Sequence, residues 1–193
     1  MRKSAKSHTV PETPNRISDY LVAFAKEHGF DYVQDEMNNV IIYKPATPGY
    51  ENAPTVILQG HMDMVCEKRP DVQHDFEKDG LNLSVKDGYV TANGTTLGGD
   101  DGIAVAYALA LLDSTDLPHP ALEVLITVDE EIGLLGAVGL DCSVLKGKRM
   151  INMDSEAEGS LWISCAGGLS AVSHIPVARV DAEGEKLQIK YAA

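Results

Sequence analysis

The sequence predicts an α/β fold: a mostly parallel mixed sheet flanked by helices, followed by the first strands of a smaller α+β layer. Three observations carry this. Apolar strand-like runs alternate with helical patterns as far as Asp154, which is the signature of strand–helix–strand units. Acidic and histidine residues gather where those runs end, and open α/β sheets bind ligands beyond the carboxyl ends of their strands. After Asp154 the helix signals stop and only strand-like patterns follow.

Taken in order, residues 1–15 are polar and carry Pro11 and Pro14, the character of a loose terminus. Ile17, Tyr20, Leu21, Phe24 and Ala25 recur at helical spacing, and Gly29 sits where a C-terminal cap belongs. Strands are expected at Asn39–Tyr43 and Thr55–Gln59. Leu81–Val85 and Tyr89–Ala92 read as a hairpin around Asp87-Gly88, a dipeptide that tolerates positive φ. Gly102–Leu112 reads as a buried helix, Glu123–Val128 as an apolar strand, Glu131–Val138 as a short glycine-rich helix and Arg149–Met153 as another strand. Leu161–Ser164, Leu169–Val177 and Lys186–Tyr191 are strand-like, the last alternating apolar Leu187, Ile189 and Tyr191 with polar Gln188 and Lys190. The predicted division is a first domain over residues 1–165 and the start of a second over residues 166–193.

Composition bounds the function. With 193 residues, 44% hydrophobic and 23% charged, the chain is globular, not disordered or collagen-like. The 29 acidic against 16 basic residues give a net charge of −13, which repels a phosphate backbone and argues against nucleic acid as a partner. The longest apolar stretch, Ile103–Leu112, is far short of the ~20 residues that span a bilayer, so no membrane is expected. Met1–Lys6 is basic with no apolar run behind it, and no signal peptide is read there. The three cysteines lack C-x-x-C spacing and read as reduced thiols, which together place the protein in the cytoplasm.

The chemistry lies at the strand ends. Thr55–Gln59 runs into Gly60-His61-Met62-Asp63, Glu123–Val128 into Asp129-Glu130-Glu131, and Arg149–Met153 into Asp154. Gly98-Gly99-Asp100-Asp101-Gly102 precedes the buried helix, its glycines allowing a tight turn beside a ligand. One imidazole among several carboxylates suits zinc or a similar divalent ion. Residues i and i+2 of an extended segment point the same way, so Asp63 can take the second ring N–H of His61 and orient it. Adjacent Glu130 and Glu131 point apart, leaving one free to act as a general base. Each feature alone has a plainer reading: a chance H-x-D, an acidic helix start, helix caps at Asp100 and Asp101, an Asx turn at Asp154-Ser155. Together they suggest a two-metal site. His28, His74, His119 and His174 read as surface or packing histidines, Cys66 as a small buried residue, and Met62, Met64, Met150 and Met153 as core filling. A phosphate site at Gly98-Gly99 is disfavoured, since Asp100 and Asp101 repel phosphate and no lysine follows.

The segments GHMDMVCEK, HDFEKDG, TTLGGDDGIAVAYALALL, TVDEEIGLLGA and INMDSEAEGSLWISCAGG resemble, in order and spacing, the aminoacyl-histidine (Xaa-His) dipeptidases. These are co-catalytic dinuclear zinc peptidases related to tripeptide peptidase T and the carnosinases. The likeness runs over roughly residues 16–180. It implies a zinc-exopeptidase catalytic domain over 1–165 and the beginning of a lid or dimerisation domain over 166–193. It implies that His61 and Asp154 bind the first metal, that Asp100 bridges both, that Glu131 binds the second, that Asp63 orients His61, and that Glu130 is the general base. Two zinc ions are implied, with cobalt or manganese as substitutes, and a small peptide as substrate. The family's bridging loop usually reads Gly-Ala-Asp-Asn-Gly, against Gly98-Gly99-Asp100-Asp101-Gly102 here, with an acidic neighbour also found in the tripeptide peptidase branch. A helix that normally precedes residue 16 is missing or replaced by Met1–Asn15. The family's second-metal histidine comes from the far C-terminal part of the catalytic domain, which this chain does not contain. A homodimer is expected only with a complete lid. The expected function is metal-dependent hydrolysis of Xaa-His-type dipeptides as part of a longer enzyme. The alternative is an inactive fragment or degenerate relative that binds metal or a partner protein.

Overall fold

A computed structural model describes residues 16–155, 157–168, 171–178 and 184. The chain separates into two compact units, Met1–Ala157 and Glu158–Ala193. All the regular structure among the described residues lies in the first.

Helix α1 (Arg16–His28) buries Ile17, Leu21, Val22 and Ala25, the apolar stripe the spacing predicts. It ends where Gly29 takes φ 70°. Gly29 N–H donates to Lys26 O at 3.2 Å and Phe30 N–H to Ala25 O at 2.9 Å, the paired bonds of a left-handed C-cap. Strands β1 (Asp31–Gln34) and β2 (Val40–Lys44) form an antiparallel hairpin. Strand β3 (Val56–His61) follows, and then the separate antiparallel hairpin of β4 (Leu83–Lys86) and β5 (Tyr89–Ala92). Helix α2 (Gly99–Asp113), β6 (Leu122–Thr127), the short α3 (Leu135–Gly139) and β7 (Arg149–Asn152) complete the unit.

The main sheet has the order β1-β2-β6-β3-β7. Strands β3, β6 and β7 are mutually parallel and β2 alone runs against the others, the mixed and mostly parallel sheet expected. Central β6 is buried along its whole length, as a parallel strand covered on both faces must be. One face packs Val40, Ile42, Leu58, Val124 and Ile126 beneath α1 and α2. The other packs Ile41, Ile57 and Leu125 against Leu140, Val144 and Leu145. Glu123 sits buried in β6 because Lys146 and Gly147 N–H groups donate to its carboxylate at 2.9–3.1 Å, so its lone pairs are satisfied. Lys44 closes α2, donating to Leu111, Leu112 and Ser114 carbonyls, where a cation also complements the helix dipole.

Three expectations need correction. The Glu131–Val138 helix contracts to Leu135–Gly139, because Gly133 and Leu134 take φ 119° and 61° and interrupt it. Met150 is exposed, not core filling: among the described residues β7 pairs with β3 alone and forms the edge of the sheet. Leu161–Ser164 and residues 171–177 form no strand. Their Leu161, Trp162, Ile163, Val172, Ile175 and Val177 are exposed, and without a paired neighbour a strand-like pattern has no ladder to stabilise it. Residues 1–15, Leu169, Ser170 and Lys186–Tyr191 lie outside the described residues.

Candidate metal centre

Parallel strands deliver their carboxyl ends to one edge of the sheet, and the predicted residues meet there. His61 ends β3 and is buried. Its Nε2 lies 3.2 Å from Asp100 Oδ1 and 3.9 Å from both Glu130 Oε2 and Asp154 Oδ1. Its Nδ1 lies 3.3 Å from Asp63 Oδ1, an ion-pair distance. Asp63 is equally buried and accepts the Glu130 N–H through Oδ1 and the Glu131 N–H through Oδ2, each at 3.1 Å. One carboxylate thus joins the end of β3 to the loop after β6. Asp154 follows β7, registered by the Met153 N–H donating to Gln59 O at 2.9 Å.

The loop carrying the two glutamates is held from below. Asp129 takes φ 53°, Leu135 N–H donates to Asp129 O, and Gly136 N–H donates to Val128 O. Buried Asn39 then bridges both limbs, accepting from Val128 N–H at 3.0 Å and donating to Gly136 O at 2.9 Å.

Asp100 and Asp101 depart from helical dihedrals at the start of α2, and the peptide between them is cis. Their side chains part company: that of Asp100 is 55% exposed and faces His61, while Asp101 is buried at 1% and accepts the backbone N–H of His61 at 3.2 Å.

The electrostatics are one-sided. Burial favours neutral imidazole, but the contact with and charge of Asp63, then Asp154 and Asp101, outweigh it and raise His61 to about 9. Burial also acts on Asp63, yet His61 and the two N–H donors hold it below the usual carboxylate range. Desolvation pushes Asp101 up to about 6 and raises Glu130 and Asp154, the last two also through neighbouring carboxylates. Among the described residues no lysine or arginine forms an ion pair with any of these groups.

That donor set fits a divalent cation. One imidazole nitrogen and several carboxylate oxygens are the ligand chemistry of zinc and its neighbours. Ligand atoms of His61, Glu130 and Asp154 lie within 4.8 Å of one another, as do those of His61, Asp100 and Glu131, and those of Asp100, Asp101 and Asp154. A cleft of about 230 Å³ borders the cluster, lined by Gly99, Asp100, Ile103, Met153, Asp154 and Ser155 among others.

All six residues singled out from the sequence therefore come together: His61, Asp63, Asp100, Glu130, Glu131 and Asp154. The other described histidines do not join them. His28 stacks on Phe24 and contacts Asp113, His74 packs edge-on against Phe76, His119 Nδ1 meets Pro120 O, and His174 is exposed. Sequence reasoning read Asp101 as a helix cap without its contact to His61, and it missed Asn39. The signal for Asp101 was its place as a cap before an apolar helix; Asn39 stood at a strand start and gave none.

The chain is similar in sequence and in fold to known peptidases. Residues 57–162 match the model of Peptidase family M20/M25/M40. The chain is 44% identical over 164 residues to the cytosol non-specific dipeptidase of Escherichia coli, covering 85% of this chain and 34% of that protein. The crystal structure of aminoacylhistidine dipeptidase from Vibrio alginolyticus superposes with a TM-score of 0.76 at 45% identity, over 82% of this chain and 32% of that one. Aminopeptidase PepT from Bacillus cereus superposes with a TM-score of 0.63 at 28% identity, over 81% and 42%. The chain spans about a third of the length of the curated relatives it matches.

Proposed function

The chain belongs to peptidase family M20/M25/M40, and from that premise we propose that it is the metal-bearing part of a cytoplasmic dipeptidase that hydrolyses Xaa-His-type dipeptides within a longer enzyme. The observation that carries the reading is the convergence of His61, Asp63, Asp100, Glu130, Glu131 and Asp154 with no lysine or arginine partner among the described residues. His61, Asp100 and Asp154 would hold one divalent ion, and Asp100 with Glu131 a second. Zinc is the expected metal, with cobalt or manganese as substitutes. When bound, such ions acidify a coordinated water and polarise a carbonyl.

The remaining work belongs to the chain's own side chains. Asp63 keeps the His61 ring turned with Nε2 toward the ligand cluster, and its two N–H acceptor contacts fix the Glu130-Glu131 backbone. Glu130, partly buried and held above its ordinary range, takes a proton from the attacking water. It then returns that proton to the leaving amine. Residues 1–165 would form this catalytic portion and residues 166–193 the start of a lid.

Glu130→Gln in the complete enzyme should leave zinc content unchanged and lower the kcat for an Xaa-His dipeptide by about 10²–10⁴-fold. Unchanged kcat with zinc still bound would remove Glu130 from the mechanism. A second reading, a metal- or protein-binding module without catalysis, is favoured by one observation: among the described residues His61 alone supplies an imidazole to the cluster. Zinc-dependent dipeptide hydrolysis by the 193-residue chain itself would eliminate it.

A further inference from the structure

Asp101 is the buried carboxylate that neither predicted metal shell uses. It is 1% exposed, and its Oδ2 accepts the His61 N–H at 3.2 Å. The backbone N–H of Ala104, in the first turn of the regular helix, also lowers the Asp101 pKa, as a group near an N-cap side chain does. One side chain therefore spans from the end of β3 to the start of α2. Those two elements carry His61 and Asp100, whose facing atoms lie 3.2 Å apart.

The neighbouring backbone is shaped around that span. A Cβ on Gly60 would stand 2.5 Å from Asp101 Oδ2 and 2.6 Å from the Ala104 Cβ, inside any real contact. Gly60 has an unremarkable φ, so close approach, not turn geometry, is what calls for glycine there.

We propose that Asp101 is a positioning residue: its carboxylate braces β3 against α2, sets the His61–Asp100 separation, and works as a hydrogen-bond acceptor, not as a ligand or a charge. The proposal rests on the metal-centre reading for its consequence, but the brace itself is a property of the metal-free chain. An acceptor role predicts that asparagine suffices, because its Oδ1 can accept the His61 N–H and asparagine caps helices about as well as aspartate. Alanine leaves the buried His61 N–H unpaired.

The test is calorimetric titration of the 193-residue chain with Zn²⁺, paired with hydrogen exchange at the His61 amide in the metal-free state. Asp101→Asn should stay within about threefold of the parent affinity and keep the amide protected. Asp101→Ala should lose about 10–100-fold in affinity, the usual cost of removing a group that orients a ligand, and lose the protection. Gly60→Ala, which displaces the brace without removing any donor or acceptor, should also weaken Zn²⁺ binding, and it decides the matter if Asp101→Ala fails to fold. Loss in Asp101→Asn as deep as in Asp101→Ala would overturn the proposal in favour of direct ligation or charge. Parent-like affinity in Asp101→Ala, or in Gly60→Ala, would overturn it outright. A parent chain that binds no Zn²⁺ would sink the metal-centre reading alone, and amide protection across the same variants would still decide the brace.

Discussion

At the scale of single residues, this centre depends on side chains that hold backbone as much as on those that face the cluster. Asp63 ties the Glu130 and Glu131 amides to β3, and Asn39 pins the two limbs of the same loop. Asn39→Ala leaves the Val128 N–H and the Gly136 carbonyl unpaired in a buried place, which should cost about 1–3 kcal/mol. Urea unfolding measures it; a midpoint equal to that of the parent would mean water replaces the amide at no cost. The sequence made His61, Asp63, Asp100, Glu130, Glu131 and Asp154 legible because each ends a strand or opens a helix, where the fold class alone says ligands gather. Asn39 was not legible, and Asp101 was legible only as a helix cap. Their partners are set by tertiary contact, Val128 and Gly136 for the first and His61 for the second, and no local spacing encodes such pairings.

At the scale of elements, the hydrophobic period and the turn residues carried most of the information. The α1 stripe and its Gly29 cap, the β4–β5 hairpin around Asp87-Gly88 and the apolar run of β6 all form as their patterns predict. Gly29 has φ 70° with nothing near the position a Cβ would occupy, so Gly29→Ala should cost only the left-handed backbone penalty, about 1 kcal/mol. Thermal unfolding reads that loss, and an unchanged Tm would show that the cap is not held in this conformation. The failures have physical causes of the same kind. Glu131–Val138 has a helical composition, but the Asp63 contacts to its first amides and the positive φ at Gly133 and Leu134 impose a turn first. Leu161–Ser164 and residues 171–177 are apolar enough for strands and lack a neighbour to pair with among the described residues. Met150 was misplaced because an apolar residue in a strand does not announce that the strand lies at an edge.

At the scale of the molecule, the charge of −13 acquires a local focus. Carboxylates from β3, β6, β7 and α2 crowd around one imidazole, and the metal-free chain must carry that repulsion. The sign follows from the shifts. A carboxyl raised in the folded state loses stability as pH climbs between its unfolded value, about 3.9, and its folded one, which for Asp101 is about 6. His61, raised to about 9, contributes fully below its unfolded value of about 6.5, and that contribution fades as pH rises to about 9. Both push the metal-free chain toward lower stability in alkali. On the proposed reading, a divalent ion held by His61 would replace its proton and supply the missing positive charge. The measurement that bears most directly on this centre is urea unfolding of the chain at pH 6 and pH 9, with and without Zn²⁺, in the parent and in His61→Ala. Without metal the parent should be less stable at pH 9. Zn²⁺ at a hundred times its Kd should add about 2.7 kcal/mol at pH 9, and His61→Ala should abolish that gain. Stability that rises from pH 6 to pH 9 without metal, or a Zn²⁺ effect equal in the parent and in His61→Ala, would contradict a metal centre built on His61.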